Sequence, residues 1–287
     1  MPPYSSQISL TDGRRNSLKS DDQVEYVPVE LSYIEVVPGR KVAYRNHVGS
    51  KGPTILYIPG FLSSMELKKI IDVEKFAREH GYSNVRFDPE SCGFSGGSRE
   101  TIEFEHWIED ALCIIDRVCD PKEPILIVSS SVGSWISTIV AQKRPDRIHS
   151  MLFIGPAFNI IWKAFIYHYK IMSDEEKKRV DDGEYLVVNL KYGGKNYLRK
   201  DFSEKTKQFE IDTASPININ CPVRIIHAVP DRDVSFETSL QIASNIATTD
   251  VDVILRKEGD HRLNTDNDTT QQLYEIHRLI TQYPIKN

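Results

Sequence analysis

The sequence predicts an α/β fold, in which a mostly parallel β-sheet carries helices on both faces. Two observations support this fold class. Short apolar runs alternate with amphipathic helical patterns over residues 54–154 and again over residues 222–280, and such alternation produces parallel strands joined by right-handed crossovers. In addition, residues 125–140 have the pattern of a strand, a sharp turn and a helix, which is the geometry that lifts one side chain above the edge of a sheet.

Composition and charge agree with a globular enzyme or binding protein. Hydrophobic residues make up 40% of the 287 residues, charged residues make up 27%, and the net charge of −5 indicates no nucleic-acid partner. No apolar run is long enough to span a bilayer. No cysteine spacing suits a metal, so we expect free thiols in a reducing compartment and neither a metal nor an organic cofactor. The four cysteines are Cys92, Cys113, Cys119 and Cys221.

The first residues differ in composition from the rest of the chain. Residues 1–23 are polar and contain prolines and several serines, so we expect a disordered tail followed by a single domain over residues 24–287. Asp12 and Asp21 do not suit a mitochondrial presequence, and no secretory signal is present. This segment taken alone therefore suggests a cytoplasmic protein.

The first half of the domain begins with a predicted hairpin. Alternating apolar residues at 24–36 and 41–44 flank Pro38 and Gly39, which favour a turn. The next strand is almost fully apolar, as in a sheet that is buried on both faces. The predicted elements that follow are strands at 54–58 and 83–88 and helices at 67–77 and 104–115.

The alternation stops after Gly155 and resumes near residue 222. Residues 156–220 contain a charged helix, a predicted hairpin and an apolar segment at 158–167. We therefore expect them to form a small cap inserted over the carboxyl-terminal edge of the sheet. The predicted elements on either side are strands at 125–128, 148–154, 222–227 and 251–255 and helices at 132–140, 236–247 and 273–280.

The turn after the strand at 125–128 carries a candidate nucleophile. Its residues are Ser-Ser-Ser-Val-Gly, so Ser131 and Gly133 match the last two defined positions of the pattern G-x-S-x-G. Small residues are needed there because the turn is tight. Ser129 stands where the pattern has its first glycine.

A serine nucleophile needs a base and a carboxylate, and two later loops offer them. Ligands of open α/β sheets bind at the carboxyl ends of the strands. Residues 228–234 follow one late strand and contain Asp231 and Asp233, while His261 follows the next strand. The order serine, aspartate, histidine is the order used by this architecture. The residues alone leave Asp231 and Asp233 as alternatives.

Other polar residues near these loops have simpler interpretations. His227 ends a strand and His277 lies on the apolar side of the last helix, so both are expected to be structural. Asp260 is the sequence neighbour of His261 and suits a turn better than a bond to that ring. Backbone N–H groups of Val132, after the nucleophile, and of Phe61, after Pro59-Gly60, are the candidate oxyanion donors.

Several stretches resemble a known family. They are residues 58–63, 86–88, 130–135, 215–222 and 249–262. From residue 55 onward the chain resembles α/β-hydrolases, and among them the mitochondrial palmitoyl-protein thioesterases of the abhydrolase domain-containing group, which are also described as acyl-glucuronide esterases. The resemblance implies that Ser131 is the nucleophile, Asp231 the acid and His261 the base. Asp231 is chosen because, counted from His227, it falls at the aspartate of the family pattern H-G-x-x-D.

The sequence departs from the family at three glycine positions. Ser129, Ser134 and Ala228 replace them. Serine is the next smallest polar residue, so an active turn with Ser129 is one alternative. The other is that the added hydroxymethyl groups crowd the turn and alter substrate choice or weaken the enzyme.

The predicted function is hydrolysis of acyl thioesters or esters by a serine hydrolase, and protein depalmitoylation is the first candidate reaction. One alternative is a carboxylesterase for small esters or acyl-glucuronides, and another is a non-catalytic binding protein of the same fold. The expected partners are an acylated protein or a small acyl ester. An acyl groove is predicted at Phe158, Trp162 and Phe165. The resemblance implies a mitochondrial location, in contrast to the N-terminal residues.

Overall fold

The computed structural model describes residues 26–191 and 194–285. The predicted tail, residues 1–23, lies outside this part of the chain, as does Gly193 of the predicted cap hairpin. The strands are β1 (Ser32–Val37), β2 (Arg40–His47), β3 (Lys51–Ile58), β4 (Tyr82–Asp88), β5 (Ile125–Ser130), β6 (Ile148–Ile154), β7 (Leu186–Asn189), β8 (Lys195–Leu198), β9 (Val223–Ala228) and β10 (Val251–Arg256).

Eight of these strands form one sheet in the order β1-β2-β4-β3-β5-β6-β9-β10. The pairs β1–β2 and β2–β4 are antiparallel, and every pair from β4 through β10 is parallel. Strand β5 lies between β3 and β6, and all six of its residues are buried. The carboxyl end of β5 therefore meets those of β3 and β6 at one edge of the sheet.

Helices cover both faces of the sheet. Phe104 and Trp135 belong to the apolar cluster on one face, and Phe76 and Leu279 belong to the cluster on the other. The helices are α1 (Lys68–His80), α2 (Phe104–Arg117), α3 (Val132–Lys143), α4 (Ile160–Lys170), α5 (Asp174–Asp181), α6 (Lys200–Lys205), α7 (Glu237–Asn245) and α8 (Asp266–Gln282).

Residues 156–220 interrupt the alternation between β6 and β9. They contain α4, α5, the two-stranded sheet β7–β8 and α6. Helix α5 starts with a capping box, because the Ser173 hydroxyl accepts from the Glu176 N–H while the Glu176 carboxylate accepts from the Ser173 N–H. In the hairpin, Leu186 and Leu198 are buried and face the protein.

His277 differs from its predicted place in the core. It is exposed on α8, where its ring meets Phe76 edge-on with a centroid separation of 6.3 Å. Ile276, Leu279 and Ile280 take the buried positions of α8. The apolar stripe of the helix is narrow enough to leave His277 at its border.

Within the described ranges, no helix has both the length and the apolar character needed to cross a membrane. The same residues contain no group of three or more histidine, cysteine or acidic side chains that could hold a metal ion.

Candidate active site

The turn between β5 and α3 holds Ser131 in an uncommon backbone conformation. Its φ of 52° and ψ of −124° lie outside the helical and extended regions, and such strain is tolerated where the surrounding structure enforces it. A Cβ at Gly133 would lie 2.4 Å from the carbonyl oxygens of Ile58 and Pro59. Only glycine therefore lets the first turn of α3 approach the end of β3 this closely.

The serines at the family glycine positions are accommodated by hydrogen bonds. The Ser129 hydroxyl lies 3.2 Å from that of Ser134, and the Ser137 hydroxyl lies 3.0 Å from that of Ser129. All three side chains are fully buried. The turn accommodates these serines, because each added hydroxyl finds a partner beneath Ser131. Ala228 is also fully buried, at the end of β9.

Three side chains from three strand ends meet at one edge of the sheet. Nε2 of His261 lies 2.9 Å from Oγ of Ser131, and Nδ1 of His261 lies 2.7 Å from Oδ2 of Asp231. The Asp231 side chain has no exposed surface, whereas 15% of the His261 side chain is exposed. The hydroxyl, imidazole and carboxylate have the mutual arrangement that activates a serine for attack.

The Asp231 carboxylate accepts hydrogen bonds at both oxygens. Oδ1 accepts the backbone N–H groups of Asp233 and Val234 at 2.9 and 3.0 Å. Oδ2 lies 3.0 Å from Nε2 of His227, in addition to its contact with His261. Burial by itself raises the pKa of Asp231, but hydrogen bonds from His227 and His261 outweigh that effect and hold the pKa below its ordinary value. Asp231 is therefore ionised at neutral pH.

The two alternative acids occupy other positions. The Asp233 carboxylate accepts the N–H of Lys191 at 3.1 Å, so it ties the loop after β9 to the cap. The Asp260 carboxylate accepts the N–H groups of Arg262 and Leu263 at 2.9 and 3.2 Å and closes the turn that presents His261. Asp231, by contrast, contacts the imidazole.

The candidate oxyanion donors lie on either side of Ser131. Val132 is the first residue of α3, where an N–H group has no acceptor within the helix. Phe61 follows β3, and a Cβ added at its neighbour Gly60 would come within 3.3 Å of the Ser131 Cβ. This backbone is therefore close to the nucleophile.

Two buried charged residues hold the loop that contains Phe61. Oδ1 of Asp88 accepts the Met65 N–H at 2.6 Å, and Nη1 of Arg86 donates to the Met65 carbonyl at 2.8 Å. Arg86 is in turn paired with Glu74, with Nε and Oε2 separated by 2.6 Å. The sequence resemblance includes Arg86 and Asp88, but only the structure connects them to the loop that contains Phe61.

An aromatic pocket adjoins Phe61. It is a shallow depression, because its cavity volume of about 20 Å³ is close to the space that one water molecule needs. Phe61 meets Trp107 edge-on at 5.6 Å, and Phe202 lies 5.7 Å from Trp107, so the three rings form a continuous wall. The residues that line the pocket are Phe61, Leu62, Arg99, Ile102, Trp107, Tyr185, Tyr197, Arg199 and Phe202.

The aromatic residues predicted to form an acyl groove lie elsewhere. Phe158 and Phe165 are buried in the core, with Phe158 edge-on to Phe153 and Phe165 stacked on Trp162. None of Phe158, Trp162 and Phe165 lines the pocket beside Phe61. The apolar pattern of residues 158–167 could not show whether these rings line a groove or pack in the core, because both arrangements place aromatic rings on a helix face.

Three of the cysteines are poor candidates for a nucleophile. Burial raises the pKa of the Cys92, Cys119 and Cys221 thiols to about 12. Thiols with such values carry almost no thiolate at neutral pH. All four cysteines are free, as their spacing predicted.

Comparison with known proteins identifies the family. The chain is 33% identical over 251 residues to a protein of Pongo abelii named palmitoyl-protein thioesterase ABHD10, mitochondrial, and the match covers 87% of this chain and 80% of that protein.

The chain belongs to the ABHD10 family of α/β-hydrolases.

Solved structures and a family profile agree with the ABHD10 assignment. The mouse α/β hydrolase domain-containing protein 10 has a TM-score of 0.78 at 30% identity, covering 88% of this chain and 99% of that one. A putative hydrolase of Agrobacterium vitis S4 has a TM-score of 0.80 at 25% identity, covering 88% and 100%. A family model described as serine aminopeptidase, S33, matches residues 54–182. The predicted α/β-hydrolase fold is confirmed, and the protein is related to serine hydrolases.

Proposed function

We propose that this protein hydrolyses acyl thioesters or esters with Ser131 as nucleophile, His261 as base and Asp231 as acid. The observation that carries the proposal is the pair of contacts at His261, 2.9 Å to Ser131 and 2.7 Å to Asp231. A serine hydroxyl is a poor nucleophile until a base takes its proton. The ionised Asp231 orients the imidazole and stabilises the imidazolium that forms.

The reaction follows from these contacts. His261 Nε2 accepts the proton as Ser131 Oγ forms a bond to the acyl carbon, and the N–H groups of Val132 and Phe61 stabilise the resulting oxyanion. Collapse of the tetrahedral intermediate breaks the bond to the thiolate or alkoxide, which takes the proton from His261. Water, deprotonated by His261, then attacks the acyl carbon, the bond between that carbon and Ser131 Oγ breaks, and His261 returns the proton to Oγ as the carboxylic acid leaves. Asp231 keeps its charge throughout.

Protein depalmitoylation is the first candidate for the substrate. The supporting observation is the name of the ABHD10 relatives, palmitoyl-protein thioesterase. A palmitoyl chain is far larger than the pocket beside Phe61, whose cavity volume of about 20 Å³ lies well below the range for ligand cavities. The proposal therefore requires the chain to extend past Tyr197 at the exposed rim.

The pocket itself favours a second candidate, a carboxylesterase for smaller aromatic or acidic esters such as acyl-glucuronides. Phe61, Trp107 and Phe202 suit an aromatic or short aliphatic group. Arg99 is exposed at the same pocket, and a guanidinium suits a carboxylate.

The test of the reaction is Ser131→Ala. We expect the wild type to react with a fluorophosphonate probe and to hydrolyse p-nitrophenyl butyrate, and we expect the variant to lose labelling and at least about a thousandfold in kcat. Labelling and turnover retained by Ser131→Ala would refute the nucleophile. Absence of both from the folded wild type would favour the non-catalytic binding protein.

A rate panel separates the two substrate classes. Acyl chains from two to sixteen carbons would be presented as thioesters and as oxyesters, together with an aromatic acyl-glucuronide. Depalmitoylation predicts that kcat/KM rises with chain length and is larger for the thioester. A maximum at short chains, or at the glucuronide, would favour the carboxylesterase.

For location we propose the mitochondrion, which the names of the relatives support. The N-terminal residues that suggested the cytoplasm lie outside the described part of the chain. Imaging of a carboxyl-terminal fluorescent fusion against a matrix marker would test this. A diffuse cytoplasmic signal would contradict it.

A further inference from the structure

His227 lies directly against the acid of the proposed triad. It is the fifth residue of β9 and is completely buried. Its Nε2 is 3.0 Å from Oδ2 of Asp231, the same oxygen that contacts His261. The sequence indicated only a structural histidine at this position. We propose that His227 is a positioning residue that holds the Asp231 carboxylate in place for His261. This inference rests on the proposed function.

The contacts of the ring determine where its proton lies. Nε2 faces two groups that can only accept, the Asp231 carboxylate and the Val234 carbonyl, both at 3.0 Å. Nε2 must therefore carry the hydrogen. Nδ1 lies 2.6 Å from the Ser239 hydroxyl on α7, which can donate its proton to Nδ1. These contacts therefore fix Nε2 as the donor to Asp231.

Both imidazoles then donate a hydrogen bond to the Asp231 carboxylate. His261 donates Nδ1–H and His227 donates Nε2–H to Oδ2, while backbone N–H groups of Asp233 and Val234 occupy Oδ1. A carboxylate with four donors cannot rotate without breaking several bonds. Loss of His227 would leave Oδ2 with one donor in a buried setting, where an incompletely paired charge is costly.

The primary test compares His227→Leu with His227→Gln. The leucine removes the donor, so kcat should fall about 10- to 100-fold with little change in KM, as expected for loss of a hydrogen bond to a charged group. The glutamine amide can place an N–H near the former Nε2 and should restore most of kcat. In the leucine variant, the acid limb of the kcat/KM profile should move to higher pH, because the Asp231 carboxylate with one donor fewer stabilises the protonated form of His261 more strongly.

A double-mutant cycle separates positioning from general stability. If His227 acts through Asp231, His227→Leu should cost little further kcat in an Asp231→Asn background. His149→Gln is the matched control. His149 is a half-buried histidine on β6, bonded to Ser150 and to the Tyr283 carbonyl at 2.8 and 2.6 Å. Its substitution should lower the melting temperature without moving the pH profile.

Two results would overturn the proposal. One is a wild-type kcat and pH profile in His227→Leu. The other is a double variant in which the loss of kcat from His227→Leu adds fully to the loss from Asp231→Asn. If the leucine variant does not fold, Ser239→Ala tests the same point, because it removes the hydroxyl that orients the ring and should lower kcat severalfold. Unchanged kcat and an unchanged pH profile in Ser239→Ala would then refute it. Activity retained by Ser131→Ala would refute the proposed function instead.

Discussion

The turn around Ser131 and the hairpin of the cap are held in contrasting ways. In the turn, Ser129 and Ser134 are fully buried and bond to one another beneath the strained backbone of Ser131. In the β7–β8 hairpin, Val187 and Tyr197 pair across the strands but remain 40% and 43% exposed. The difference suggests that changes near the turn alter kcat or folding, whereas changes at the cap alter KM and substrate choice.

The largest expected effect on kcat comes from Asp231→Asn. The amide cannot accept from every donor around it and does not stabilise the imidazolium, so kcat should fall by about 10⁴-fold. Asp233→Asn, which alters a carboxylate bonded to Lys191 and not to His261, should cost far less. Stopped-flow or steady-state kinetics on p-nitrophenyl butyrate would measure both. Equal losses would mean that the acid is misassigned.

The same variant has a consequence for stability at low pH. The pKa of Asp231 lies below its ordinary value of 3.8 in the folded chain. Its ionised form therefore stabilises the fold above about pH 4, and this contribution is lost as the pH falls toward the lowered pKa. Urea unfolding between pH 7 and pH 3 should show a smaller loss of stability for Asp231→Asn than for the wild type.

A matched pair of phenylalanines tests whether substrate choice depends on the pocket beside Phe61. Phe202 lines the pocket beside Phe61, whereas Phe165 packs in the core against Trp162. Phe202→Leu should change the ratio of kcat/KM between long and short acyl esters by about tenfold, mainly through KM. Phe165→Leu should lower the melting temperature and leave that ratio unchanged. If Phe165→Leu changed the ratio and Phe202→Leu did not, the acyl groove predicted from residues 158–167 would be supported.

The smallest expected effect concerns the serine cluster under the nucleophile. Ser129→Ala removes a hydroxyl that contacts Ser134 and Ser137. We expect about 1 kcal/mol less stability in denaturant unfolding, with kcat within a few fold of wild type. Thr281→Ala, which removes an exposed hydroxyl of α8, is the control and should be near neutral. A large loss of kcat in Ser129→Ala would show that the cluster also positions Ser131.

Much of the fold could be predicted from local pattern. The apolar runs that became β3, β5 and β6 are buried along nearly their whole length. A central parallel strand has two covered faces, so its sequence is distinctive. Boundaries were less certain, and the helix predicted at 104–115 extends to Arg117. Helix ends depend on tertiary contacts as well as on sequence.

Some features of the candidate site could also be predicted from the sequence, and others could not. Ser131, Asp231 and His261 could be proposed from the sequence because each follows a recognisable strand, and parallel strands bring their carboxyl ends to one edge. The partners of Ser129 and the contact between His227 and Asp231 could not. They depend on side-chain distances across turns and between strands, which hydrophobic periodicity does not contain.

The sequence by itself therefore determined the α/β sheet, the order of its main elements and the three strand ends that carry the candidate site residues, because these follow from local hydrophobicity and chain order. Only the tertiary structure decided that Asp231 rather than Asp233 meets His261 and that the aromatic pocket lies beside Phe61. It also decided that His227 contacts the acid. Each of these depends on which side chains the folding of distant segments brings within hydrogen-bond or van der Waals distance.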